Sequence, residues 1–137
     1  GIDVSATAVR TARRRGAMAL ARSVFDRVPG EGRWASVLLF DGNVGIGGDP
    51  AALLARAREL ADPQGTIVVE AQAPGVGVRT DRVRLQPTAT APTPWFDWAW
   101  VSIDALLPIA SSVGLHPARI ERWGDGGEER WIAWLQR

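Results

Sequence analysis

An α/β fold on a mostly parallel sheet, closed by an antiparallel C-terminal hairpin, is what this sequence predicts, and three observations predict it. Strand-like and helix-like segments alternate through residues 1–70 as strand, helix, strand, loop, strand, helix, strand, the pattern of a parallel sheet with helical crossovers. The apolar run at 37–40 stops at Asp41 and a glycine-dense loop, and a well-marked helix follows. Near the end, two strand-like segments flank Gly124-Asp125-Gly126-Gly127, the composition of a hairpin turn.

Each element has a local reason. Residues 1–4 read as the end of a strand, Ser5 as a helix N-cap, and 6–15 as a helix that Gly16 closes. An alanine-rich strand is expected at 17–24, then a loop at 25–33 marked by Pro29, Gly30 and Gly32. Residues 37–40 are too apolar and too short for a surface helix and read as a strand buried on both faces. Asp49 supplies an N-cap oxygen and Pro50 a preset φ for a helix over Pro50–Leu60, whose Leu53, Leu54, Ala57 and Leu60 share one face. Asp62-Pro63-Gln64-Gly65 is turn chemistry, and 66–70 is a β-branched strand beside 37–40 and parallel to it.

Beyond Glu70 the texture changes. Residues 71–94 are rich in Gly, Pro and Thr, with one short strand expected at 82–86, and read as a lid or substrate loop. Ser102 is placed as the cap of a helix that runs to Gly114 and is kinked at Pro108. Segments 118–123 and 129–136 form the hairpin, where Trp131 and Trp134 fall on opposite strand faces.

The chain of 137 residues suits one domain. With no cysteine and the single histidine His116, it holds neither a thiolate nucleophile nor the ligands of a Cys-type or multi-histidine metal site. His116 reads as an exposed turn residue. All sixteen basic residues are arginine and fifteen acids nearly cancel them, so no cationic field for nucleic acid is implied. Arg13, Arg14 and Arg15 read as the solvated end of a helix, where cations favour the dipole. No apolar run reaches the roughly 18 residues that span a bilayer, and the N-terminal stretch has no secretory core, so no membrane partner and a cytoplasmic location are expected.

The site candidates follow from position. In open α/β sheets ligands lie outside the carboxyl ends of strands, where Asp41, Gly42 and Asn43 fall. Residues 42–48 resemble a phosphate loop in glycine content, but Asp49 at the helix N-cap opposes an anion there. Gly47 and Gly48 read as turn residues of positive φ. Asp3 is either a cap of the helix after it or a ligand group. Trp95, Trp98 and Trp100 crowd one approach, as core or lid packing or as a wall for an apolar substrate.

Taken in order, Gly1-Ile2-Asp3-Val4-Ser5 with Ala8-Val9 and Ala12-Arg13, the Asp41 loop, and Asp62-Pro63-Gln64-Gly65-Thr66 before a strand make the chain resemble a class I S-adenosylmethionine-dependent methyltransferase. The resemblance implies a Rossmann-like sheet, mostly parallel with a C-terminal antiparallel hairpin, over 1–137 as one partial domain. It implies S-adenosylmethionine as cofactor and a small-molecule methyl acceptor. Asp3 would accept hydrogen bonds from the ribose hydroxyls, Ser23 and Val24 would flank adenine, and Asp41, Gly42 and Asn43 would line the cofactor and face the acceptor. Ser23 stands where the family often has an acid. The glycine-rich loop of the family should precede Asp3 by about twenty residues, so the resemblance implies an N-terminally truncated domain of impaired activity. A non-catalytic binding or scaffold domain of the same fold and a nucleotide-dependent oxidoreductase remain as alternatives.

Overall fold

In a computed structural model, residues 1–86, 92–124 and 129–137 are described; part of the expected 71–94 segment and most of the Gly124–Gly127 turn lie outside them. β1 (Ile2–Asp3) pairs in parallel with β2 (Leu20–Ala21), and α1 (Ala6–Arg14) connects them. Ser5 Oγ accepts from Ala8 N at 3.2 Å, and Gly16 follows the helix at φ 86°, so the cap and stop signals act as read. Only two residues of the expected 17–24 strand are extended in a ladder.

β3 (Trp34–Leu39) and β4 (Ala61–Ala71) are adjacent and parallel, joined by α2 (Pro50–Leu60). Asp49 caps α2 by accepting from Ala52 N at 3.0 Å. The helix runs straight into β4, so the expected turn at 62–65 is built into the strand's first residues. Trp34 pairs with Ala61 but Ser36 with Thr66, which places the extra residues in an irregular strand entry. Asp62 Oδ1 accepts from Gln64 N there, and a Cβ on Gly65 would lie 2.7 Å from the Trp34 carbonyl oxygen.

β5 (Val78–Val83) and β6 (Phe96–Val101) form an antiparallel pair. Two expectations are corrected here: the strand lies at Val78–Val83 rather than 82–86, and the tryptophan-rich approach is β6. Its partner β5 alternates too weakly in hydrophobicity to mark itself. α3 (Ile103–Ser112) follows, then β7 (His116–Trp123) and β8 (Arg130–Gln136). The larger sheet has the order β3-β4-β8-β7, with β8 antiparallel to both neighbours, so the terminal hairpin inserts its last strand beside the parallel pair.

Helices α2 and α3 cover one face of this sheet. Leu39, Ile67, Val69, Ala133 and Leu135 meet Leu53, Leu54, Ala57, Leu106 and Ala110 in a core that excludes water. On the opposite face Leu38 is 57% and Phe40 37% exposed. The expected burial of 37–40 on both faces is therefore corrected: an apolar run marks a strand without fixing which faces its neighbours cover. Trp131 packs on the core while Trp134 carries Arg119 over its ring at 4.8 Å, in keeping with opposite faces. Ser102 stands at the N-cap of α3, but its hydroxyl makes no capping bond. It accepts from Gly77 N at 2.9 Å and donates to Gly77 O at 3.2 Å, pinning the start of the β5–β6 pair. Among the described residues no helix is long and apolar enough to cross a membrane.

Candidate functional site

β3 delivers its chain to the carboxyl end of the sheet, where Asp41 (φ 54°) and Gly42 (φ 73°) both take the left-handed conformation. Such a conformation costs a non-glycine residue about 1–2 kcal/mol. Here Asp41 N donates to Glu70 Oε2 at 3.2 Å, tying the carboxyl ends of β3 and β4 together. The chain then tightens into a single 3-10 turn, Asn43–Gly45, with Gly45 N donating to Gly42 O at 2.9 Å. The Asp41 carboxylate projects into solvent, whereas Glu70 is largely buried, its side chain 16% exposed. Arg130 at the start of β8 spans the two, its Nη1 3.6 Å from Asp41 Oδ1 and 3.4 Å from Glu70 Oε1.

These groups border a cavity of about 270 Å³ whose walls include Asp41, Gly42, Glu70, Gln72, Trp98 and Trp100, with Arg130 at its margin. β6 is held over the opening by the packing of Gly45. A Cβ on Gly45 would lie 1.9 Å from the Ala99 carbonyl oxygen, so only glycine permits the 3-10 turn to touch β6 this closely. Trp98 and Trp100 thereby form one wall, and Arg79 stacks on Trp100 at 4.0 Å. Trp95 stands apart, exposed, with Arg84 over its ring.

Of the residues read from the sequence, Asp41, Gly42, Trp98 and Trp100 meet in this cavity. Asn43 begins the 3-10 turn, where its N–H closes onto Phe40 O. Asp3 ends β1; its Oδ1 accepts from Ser5 N at 2.7 Å, and its Oδ2 has no partner among the described residues. Ser23 caps a local turn, its Oγ accepting from Phe25 N, and Val24 packs on the core with its carbonyl taken by Arg56 Nε. Neither Asp3 nor Ser23, Val24 and Asn43 lines the Asp41 cavity. Gly47 and Gly48 have positive φ, and His116 is exposed at the start of β7.

Glu70, Gln72 and Arg130 were not singled out in the sequence. For Glu70 a signal existed, since it lies near the carboxyl end of β4 as Asp41 lies just beyond that of β3, and the carboxyl-end rule applies to both strands. Arg130 carries no such signal and arrives only through the pairing of β8 with β4.

No protein-family model matches the sequence, and no curated protein matches it significantly. Solved structures match its fold. The 1,6-didemethyltoxoflavin-N1-methyltransferase of Burkholderia thailandensis, solved with 1,6-didemethyltoxoflavin and S-adenosylhomocysteine, has a TM-score of 0.68 and 16% identity over 99% of this chain and 59% of its own. An S-adenosylmethionine-dependent methyltransferase of Bacteroides fragilis, in complex with S-adenosyl-L-homocysteine, gives 0.71 at 18% identity over 98% of this chain and 61% of its own. The CcbJ methyltransferase of Streptomyces caelestis gives 0.70 at 16% identity over 99% and 73%. The chain thus has the Rossmann-like fold of class I S-adenosylmethionine-dependent methyltransferases, and spans about three-fifths of the length of the first and second of these structures.

Proposed function

We propose that this chain is the partial catalytic domain, with impaired activity by itself, of an enzyme that transfers a methyl group from S-adenosylmethionine to a small-molecule acceptor in the cytoplasm, without nucleic acid or membrane as partner. The observation that carries the reading is the Asp41–Gly42 turn, which presents an exposed carboxylate and a backbone without Cβ beside a cavity at the carboxyl end of the sheet. A cofactor with a sulfonium, an amino group and vicinal hydroxyls needs such groups. Asp41 offers negative charge to the first two, and Gly42 lets a ligand approach the main chain. Asn43 adds donors and acceptors. Asp3 keeps Oδ2 free for a ribose hydroxyl, and Ser23 and Val24 are assigned to the adenine side.

When bound, the cofactor supplies an electrophilic methyl group. The chain's own part is to hold the acceptor in line with it and to exclude water, and such alignment is worth several orders of magnitude in rate. Protein nucleophiles and metal ions are not required for that task. Calorimetric titration with S-adenosylhomocysteine tests the reading. A charge-assisted hydrogen bond is worth roughly 1.5–3 kcal/mol, so Asp3→Ala and Asp41→Ala should each weaken binding by about tenfold or more. Binding that ignores both substitutions refutes it. Binding without transfer to any acceptor would favour the non-catalytic scaffold.

A further inference from the structure

Resting on that reading, we propose that the cavity between the Asp41 turn and β6 receives an amine, so that the methyl group goes to nitrogen. Three features of the cavity point to an N–H-bearing group that becomes positively charged. The first is its wall: Trp98 presents an indole ring, the best aromatic partner for a cation, beside the opening, while Trp100 next to it already carries Arg79. The second is Glu70. It is the most enclosed of the acids that line this cavity, yet among the described residues its one hydrogen bond is the 3.2 Å contact from Asp41 N. Arg130 stays 3.4 Å away, beyond the 2.7–2.9 Å of a formed charge-assisted bond, so Glu70 Oε1 retains acceptor capacity toward the cavity. The third is balance. Among the described residues Asp41, Glu70 and Glu129 line the cavity against one lining cation, Arg130; Glu129 is paired outside it with Arg122 at 3.1 Å, and Arg79 stacks on Trp100 without being part of the lining.

The chemistry separates acceptors by the charge they develop. An acceptor that enters as an ammonium first gives one proton to solvent; the neutral amine's lone pair then forms the N–C bond as the C–S bond breaks, the C–S electron pair goes to sulfur, and the positive charge lost by the sulfonium appears on nitrogen. The methylated ammonium then releases its proton to solvent. Asp41 and Glu70 face that nitrogen and favour its charge. Hydroxyl, thiol and carboxyl acceptors react as, or toward, anions, which the same carboxylates repel. Gln72 supplies a neutral donor and acceptor beside Glu70 for the remainder of the acceptor.

Binding of simple probes tests this without turnover. Benzylamine, benzyl alcohol and benzoate share one ring and differ in charge, and binding is read from tryptophan fluorescence and from the indole N–H resonances of Trp98 and Trp100. Benzylamine should bind at least tenfold more tightly than benzyl alcohol, with benzoate weakest. Glu70→Gln should reduce the amine preference to threefold or less, and Trp98→Leu, a second route that leaves Glu70 in place, should weaken benzylamine more than benzyl alcohol. Equal binding of alcohol and amine, tighter binding of benzoate, or no saturable amine binding overturns the proposal. S-adenosylhomocysteine titration on the same sample reports separately on the cofactor reading: if it binds and transfer occurs only to oxygen or sulfur, the amine assignment alone falls.

Discussion

Gly45→Ala is the sharpest perturbation available to this fold. The added methyl would sit 1.9 Å from Ala99 O, 2.8 Å from Ala99 C and 3.0 Å from Ala99 N, all backbone atoms of β6. No side-chain rotation relieves contacts with main chain, so the 3-10 turn or β6 must retreat by about 1.1 Å to reach even the 3.0 Å limit of real Cβ contacts. Overpacking of a well-filled interior costs about 1–3 kcal/mol, and an immovable backbone partner puts this site at the upper end, about 3 kcal/mol. For a domain of this size that is a fall in Tm of about 9–15 °C. Gly75→Ala is the control: its Cβ would meet nothing within 4 Å, but its φ of 91° makes the substitution strained. That strain alone should cost about 1–2 kcal/mol. Calorimetric melting of the three proteins measures the difference. If Gly45→Ala melts no lower than Gly75→Ala, the close approach of the turn to β6 is wrong, and with it the tryptophan wall of the cavity.

Two further outcomes follow from ion pairs. Arg56, 13% exposed, donates to Val24 O at 3.0 Å, Asp26 O at 2.7 Å and Glu59 at 2.8 Å, and pairs with Glu31, so it fastens the loop after β2 to α2. Arg56→Met should lower stability in urea by about 2–4 kcal/mol because two carbonyls and Glu31 lose their donor, and Arg56→Lys should recover less than half; a cost below about 0.5 kcal/mol refutes the assignment. The Val28 N–H, then Arg56, hold the Glu31 carboxyl below its ordinary 4.5, and the Trp123 indole N–H, then Arg119, do the same for Glu121. With the folded value depressed, the unfolded chain takes up protons first, so this stabilisation is complete above 4.5 and is lost as pH falls through the lower folded values. The urea midpoint should therefore decline below about pH 4.5, and the double substitution Glu31→Gln and Glu121→Gln should flatten that decline; an unchanged slope would assign the acid sensitivity elsewhere.

What the sequence determined by itself is local or periodic. The Ser5 and Asp49 caps, the stop at Gly16, the parallel neighbours β3 and β4 and the antiparallel terminal hairpin are specified by hydrogen bonds and patterns within a few residues, or by the short crossover that links successive strands. The Asp41–Gly42 turn was legible for the same reason, as an apolar run ending in an acid and glycines. Tertiary structure alone decided the rest. Glu70 reaches Asp41 across 29 positions, and Arg130 enters only because β8 pairs with β4. Gly45 reads as one more loop glycine until β6 is laid against it, and of the three tryptophans read as a possible wall it is Trp98 and Trp100, not Trp95, that line the cavity once β6 pairs with β5. Whether Leu38 and Phe40 are covered depends on which face of the sheet α2 and α3 occupy. A residue's own pattern records its strand or helix, whereas its partner is chosen by burial summed over the whole chain, and that sum has no local trace.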